Sequence, residues 1–364
     1  MNLETLLQKA NELDFWQGLC REERKILLYG MGNGADKLIL ETARRGVTVD
    51  GIFASDGFVR GHSFHGMRVM PYSEVRQSYK REDCIILLAF GSARPEVIEL
   101  IAGVARDYDL FVPDLPVCGK QLFDADFLTR HADELRAARA LLADDSSKDL
   151  FDAILEAKLT ARFDSLMLAV SEREPFDILK DSERRITRMA DLGAYTGDTA
   201  REALSHLALD FILAAEPDRR NFRKLCLWQE SMPEGLVECH QVAIFDKNEI
   251  CAFDASGNRN AGLCTGREGE SVPTASLDSL LDGRLIDYIK YDIEGAEREG
   301  LLGSAATIKE SKPVLRVSLY HRPEDLFALP LLIAKLAPFY DFLLTRAKSL
   351  PAWDIDLLCL PRAK

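Results

Sequence analysis

The segment "ITRMADLGAYTGDT", residues 186–199, runs from an apolar strand into a glycine-bearing loop and on toward a helix. Asp191, Gly193 and Gly197 stand in the spacing D-x-G-x-x-x-G, and Thr199 with Glu202 fits T-x-x-E, which predicts a helix start near Thr199. Such a loop brings backbone N–H groups up to a ligand and sets its negative end against the positive helix terminus. It is not the G-x-G-x-x-G of pyrophosphate dinucleotide sites.

The pattern continues outward on both sides. Downstream come the strand "DFILAAEP", the helix "RRNFRKLCLWQE", the strands "VECHQVAIF" and "IDYIKYD", the helix "EREGLLGSAATI" and the strand "PVLRVSLYH". "YDFLLTRAK" and "DIDLLCLPR" then read as two strands joined by a Pro-containing turn; without a crossover helix they should pair antiparallel. Upstream, "KILLYG", "VTVDGIFAS", "CIILLAF" and "YDLFVPD" alternate with helices. Strands alternating with helices imply parallel sheets covered on both faces, so the fold class is α/β with two doubly wound Rossmann-like domains. The expected division is a Rossmann-like domain over 1–120, a helical connector over 121–185 and a second domain over 186–364. In the connector, Ser146 followed by Asp149 fits a capping-box start for a helix.

Composition narrows the function classes. The 364 residues suffice for two cores, and a net charge of -13 opposes attraction to nucleic-acid phosphates or anionic lipid. Eight cysteines without a C-x-x-C pair read as reduced thiols of a cytoplasmic protein. No run reaches the ~20 apolar residues of a membrane span.

S-adenosylmethionine (SAM) suits the loop: Asp191 can accept from its ammonium, and N–H groups from Tyr195 to Gly197 can receive its carboxylate. Glu216, followed by Pro217 at the end of the next strand, stands where an acidic side chain binds ribose hydroxyls. A tight turn with a solvated strand end is the plainer alternative for each feature taken singly. At this point the sequence resembles the FkbM family of SAM-dependent methyltransferases, through "DLGAYTGDT", "AAEPDRRNFRKL", "VPTASLDSLL", "IDYIKYDIEGAERE" and "VSLYHRPEDL", over roughly residues 145–362. The resemblance implies a class I methyltransferase fold and O-methylation of a hydroxyl on a sugar, glycan or polyketide-type metabolite. It also implies that Asp191, Gly193, Ala194, Tyr195, Gly197, Glu216 and Pro217 line the SAM site, with Asp292 near the methyl donor. Many family members carry a glutamate where "RVSLYH" has Ser318, so no role is carried over there.

In an extended strand Tyr288, Lys290, Asp292 and Glu294 share one face toward the carboxyl edge, where open parallel sheets hold ligands. A buried lysine needs a partner, and Asp292 is its neighbour. His321, at the end of the following strand, is the expected general base, with Asp325 as orienter, because an ordinary imidazole pKa near 6.5 suits proton removal. Asp292 and Glu294 holding a divalent cation is the alternative. Glu297 reads as an ordinary acid of a first helical turn.

In the first domain, Gly30, Gly32 and Ala35 satisfy G-x-G-x-x-A, with Gly34 inside the motif and Asp56 ending the next strand. This marks a possible nucleotide or nucleotide-sugar site, and His62 and His65 stand in the loop beyond it. Two other functions compete: an NAD-dependent oxidoreductase using the first domain, and a non-catalytic nucleotide- or SAM-binding protein.

Overall fold

A computed structural model describes residues 1–59, 61, 63–253 and 270–362, so Arg60 and His62 lie outside the described residues. The first sheet is built from β1 (Lys25–Tyr29), β2 (Gly51–Ala54), β3 (Ser63–Phe64), β4 (Met67–Pro71), β5 (Cys84–Leu88) and β6 (Asp109–Phe111). Its order is β3-β4-β2-β1-β5-β6, parallel throughout except for the β3/β4 hairpin. β2 and β5 are buried at every position, as expected for unbroken apolar runs covered on both faces.

The chain then forms β7 (Arg188–Leu192), β8 (Phe211–Ala215), β9 (Val237–His240), β10 (Ala243–Ile244), β11 (Ile250–Phe253), β12 (Glu270–Ala275), β13 (Tyr288–Tyr291), β14 (Val314–Ser318), β15 (Tyr340–Arg346) and β16 (Ile355–Pro361). Seven of them make the second sheet, in the order β15-β16-β14-β13-β7-β8-β9. β16 runs antiparallel to both β14 and β15, which is the final pair anticipated from the sequence. The class I methyltransferase topology is therefore present.

β10, β12 and β11 form a small third sheet that the sequence pattern did not reveal. "VECHQVAIF" accordingly divides between two sheets, and "EREGLLGSAATI" forms two helices, Glu297–Leu302 and Ala305–Ser311.

Helices fill the stretch between the sheets, among them Ala132–Leu141 and Asp145–Thr160. The second is capped by Asp144, whose Oδ1 accepts from Ser147 N at 2.7 Å, and not by Ser146. Phe127, Phe151 and Leu155 from these helices join Leu27 and Ile86 of the first sheet to Ile289 and Leu357 of the second in one continuous core. A buried ion pair, Lys158 Nζ to Asp114 Oδ2 at 2.7 Å, pins the helix to the loop after β6. Among the described residues no helix is long and apolar enough to cross a membrane. Cys20, Cys84, Cys118, Cys226, Cys239 and Cys359 are free thiols.

Candidate active site

β7 lies between β13 on one side and β8 on the other, so the loops at its carboxyl end diverge and leave a crevice. A cavity of about 240 Å³ opens there. Gly193 makes the approach possible: with φ at +80°, its missing Cβ would lie 1.9 Å from Asp292 O. The helix that follows, Asp198–His206, begins one residue ahead of the expected start and takes Gly197, not Thr199, as its N-cap.

Glu216 holds the loop. Its Oε2 accepts from Tyr195 N at 2.8 Å and its Oε1 from Asp218 N at 2.9 Å, and burial pushes its carboxyl up to about 7. Tyr195 N–H, expected to meet a ligand, is thus already engaged. Gly193 N, Ala194 N and Gly197 N also donate within the protein. The N–H groups available to a ligand are those of the helix's first turn, at Asp198 and Thr199, which line the cavity.

Asp191 lies fully buried behind the cavity wall formed by Gly193 and Lys290. Neither carboxylate oxygen has a hydrogen-bond partner among the described residues, and burial raises its pKa to about 6. An unsatisfied buried carboxylate is costly and is the kind of group a cationic ligand would relieve.

Lys290, 6% exposed, donates to Gly193 O at 3.2 Å and lies 3.3 Å from Asp292 Oδ2 and 3.6 Å from Asp191 Oδ1. Burial alone would lower its pKa; the Asp292 and Asp191 carboxylates outweigh that and hold it above its ordinary value. The expected Lys290–Asp292 pair is present, with Asp191 as a second anion. Asp292 also accepts from Tyr320 Oη at 2.9 Å. Burial works to raise its carboxyl pKa, but Lys290 and His321 outweigh it and hold the group well below the ordinary range.

β13 ends at Tyr291, so Glu294 does not continue the strand face. It reaches the cavity through a left-handed backbone, φ +54°, a conformation costing a non-glycine residue roughly 1–2 kcal/mol. Its buried Oε2 has no hydrogen-bond partner among the described residues. Burial, reinforced by Asp292 and Glu297 and opposed by His321, pushes its carboxyl up to about 8.

His321 is fully buried and does not line the cavity. Its Nδ1 lies 3.0 Å from Glu297 Oε1, and its Nε2 lies 3.4 Å from Asp292 Oδ1 and 3.5 Å from Glu294 Oε2. Burial would lower its pKa, yet the three carboxylates raise it to about 10. The expected role as a base rested on an ordinary imidazole pKa, whereas the surrounding carboxylates favour the protonated ring.

Glu297 corrects the plain reading given to it. It does begin a helix, but it is 1% exposed, and its Oε1 accepts from Ile293 N at 2.9 Å and Gly295 N at 3.3 Å while facing His321. It shapes the turn that presents Glu294. Asp325 accepts from Arg322 N at 2.9 Å, and burial, with Glu297 adding to it, pushes its carboxyl up to about 7.

The opposite wall was invisible in the sequence. Ser318 pairs in register with Asp356 of β16, whose carboxylate also holds Arg316 at 2.7 Å; all three line the cavity with Trp353. Among the described residues no group of three or more His, Cys, Asp or Glu side chains is placed to hold a metal ion.

With this geometry in view, the comparisons are decisive for the second sheet. Residues 191–345 match the Methyltransferase FkbM domain. They are a methyltransferase domain of the FkbM family. The crystal structure of an FkbM methyltransferase from Methylobacillus flagellatus superposes with a TM-score of 0.72 at 18% identity, covering 98% of this chain and 99% of that one. The likeness therefore includes the first sheet and the helices between. An rRNA methylase from Streptococcus thermophilus matches with a TM-score of 0.36 at 12% identity, over 53% of this chain and 99% of its own. No curated protein matches the chain.

Outside the FkbM domain, the first-sheet residues singled out in the sequence separate. A second cavity opens at the carboxyl ends of β1, β2 and β5, and Gly30 lines it while Gly32, Gly34 and Asp56 do not. Gly34 serves packing, since a Cβ there would lie 2.2 Å from Ala89 O. Asp56 Oδ1 accepts from Ser73 N at 2.8 Å, and His65 Nε2 contacts Asp36 Oδ1 at 2.6 Å.

Proposed function

We propose that the chain is a SAM-dependent O-methyltransferase acting on a hydroxyl of a sugar, glycan or polyketide-type metabolite. The observation that carries the reading is the buried carboxylate of Asp191, 3.6 Å from Lys290 and without a hydrogen bond to either oxygen among the described residues, behind a glycine loop at the switch point of an FkbM methyltransferase domain. SAM, when bound, supplies a methyl group on a positively charged sulfur.

The residues fit that cofactor. Asp191 keeps hydrogen-bond capacity on both oxygens beside Lys290, and a cationic ammonium suits it. The first-turn N–H groups at Asp198 and Thr199 suit a carboxylate. Glu216 keeps acceptor capacity for ribose hydroxyls, because each oxygen accepts one bond and has a second lone pair. Val242, Ala243 and Ile244 give an apolar wall for a flat base.

The acceptor side lies between Asp292, Glu294 and Tyr320. Methyl transfer to an alcohol requires the hydroxyl proton to leave as the oxygen forms its bond to carbon. Glu294 takes that proton in this reading: it lines the cavity on a left-handed backbone, its buried Oε2 is anchored 3.5 Å from His321 Nε2, and burial pushes its carboxyl up to about 8. Asp292, held ionised by Lys290 and Tyr320, orients the hydroxyl. His321 and Glu297 position the turn without touching substrate.

Glu294→Gln tests the assignment. Losing a general base lowers turnover by about 10²–10⁴-fold. Turnover of the native protein should rise with pH through about 8, and that inflection should vanish in the variant. An unchanged profile would remove Glu294 from the proton transfer.

A further inference from the structure

The first sheet has its own crevice at its own switch point, where β2 lies on one side of β1 and β5 on the other. Its cavity, about 590 Å³, is within the range of small-ligand sites. Phe90, Tyr29 and Phe58 supply aromatic surface, Ser55 and Ser92 line the wall, and Arg94 is the cation. Phe58 is 58% exposed, an unusually open ring for a large apolar side chain. Among the described residues Arg94 makes one ion pair, with the exposed Glu96 at 3.0 Å.

A dinucleotide does not fit. Of the glycine loop only Gly30, packed against the Phe90 ring, lines the cavity; Gly32 and Gly34, whose N–H groups a pyrophosphate would need, do not. The acid expected at the ribose, Asp56, is committed to Ser73 N. What remains is aromatic surface for one ring system and one cation for one anionic group.

The cavity also abuts the catalytic one. Ser92 exchanges both backbone hydrogen bonds with Leu350, at 2.8 and 3.0 Å. Trp353 lies against Gly91, where a Cβ would stand 2.4 Å from the indole. Gly91 lines the first-sheet cavity and Trp353 the catalytic one, so the two share a wall.

We propose that the first-sheet cavity is a second ligand site, taking a single planar ring system with one anionic group, as in a nucleoside monophosphate. The ring lies against Phe90 and Phe58, and the anion meets Arg94. The test is calorimetric titration of the full chain with uridine monophosphate, with S-adenosylhomocysteine present to fill the methyltransferase cavity. Saturable binding is expected, at least tenfold weaker in Phe58→Ala and in Arg94→Glu, with inorganic phosphate failing to compete. Both positions are on the surface, and thermal melting of each variant checks that it folds. No saturable binding up to millimolar probe, or equal affinity in both variants, overturns the proposal. If S-adenosylhomocysteine itself fails to bind, the methyltransferase reading fails separately, while the two substitutions still decide this one.

Discussion

The two sheets solve one backbone problem in the same place and fill the result differently. In the first, Gly34 lets the first turn of the helix after β1, Asn33–Arg44, meet Ala89 O beyond β5; in the second, Gly193 lets the turn after β7 meet Asp292 O beyond β13. Each approach opens a crevice at a switch point. The first is walled by aromatic rings with one arginine, the second by Lys290, Asp292, Glu294, Glu216, Arg316 and Asp356. The fold supplies a place for a ligand, and the side chains decide the chemistry done there.

The comparison is tested most severely at the buried charges that wall the second crevice. Lys290→Met leaves Asp191 and Asp292 without their shared cation; breaking a buried pair in this way costs about 3–5 kcal/mol. Chemical denaturation should show that loss. A change under 1 kcal/mol would mean that the carboxylates are solvated and that the charge cluster does not organise the site.

His321→Gln should have a smaller and pH-dependent effect, roughly 1.5–3 kcal/mol for a lost contact to charged groups. The folded-state pKa, about 10, is above the ordinary 6.5, so the folded chain binds the extra proton. The stabilisation is complete below 6.5 and is lost as pH rises through 10. Melting temperatures of native and variant proteins should differ most near pH 6 and converge toward pH 10. A constant difference would show that the imidazole is not charged in the fold.

The glycines give the last contrast. Gly34→Ala should cost about 1–3 kcal/mol by forced repacking. Gly193→Ala should cost more than Gly34→Ala, because φ at +80° adds strain to the clash. It should also weaken SAM binding by displacing Asp292, and equal effects in both would deny the second crevice its tighter construction.

These contrasts also mark what the sequence could disclose. Both parallel sheets were legible because their strands are continuous apolar runs separated by helices, and the antiparallel ending because no helix intervenes between β15 and β16. Asp191, Gly193 and Glu216 were legible because loop spacing along the chain places them. Glu297 was not, since its partner His321 arrives from another strand and looks unrelated in sequence. Tyr320, Asp356 and Trp353 were missed for the same reason: each enters the wall through pairing or packing across the sheet. The pKa of His321 was not legible because it belongs to an environment, here three carboxylates that only the fold brings together. β10 and β11, of two and four residues, lacked the length for a period to show.

The central claim is that the second crevice, and not the first, holds SAM. Calorimetric titration of the full chain with SAM, repeated with Asp191→Asn, tests it directly. Binding at one site, lost or weakened at least a hundredfold in the variant, is the predicted result. Absence of binding to the native chain, or undiminished binding to a folded Asp191→Asn protein, would contradict it.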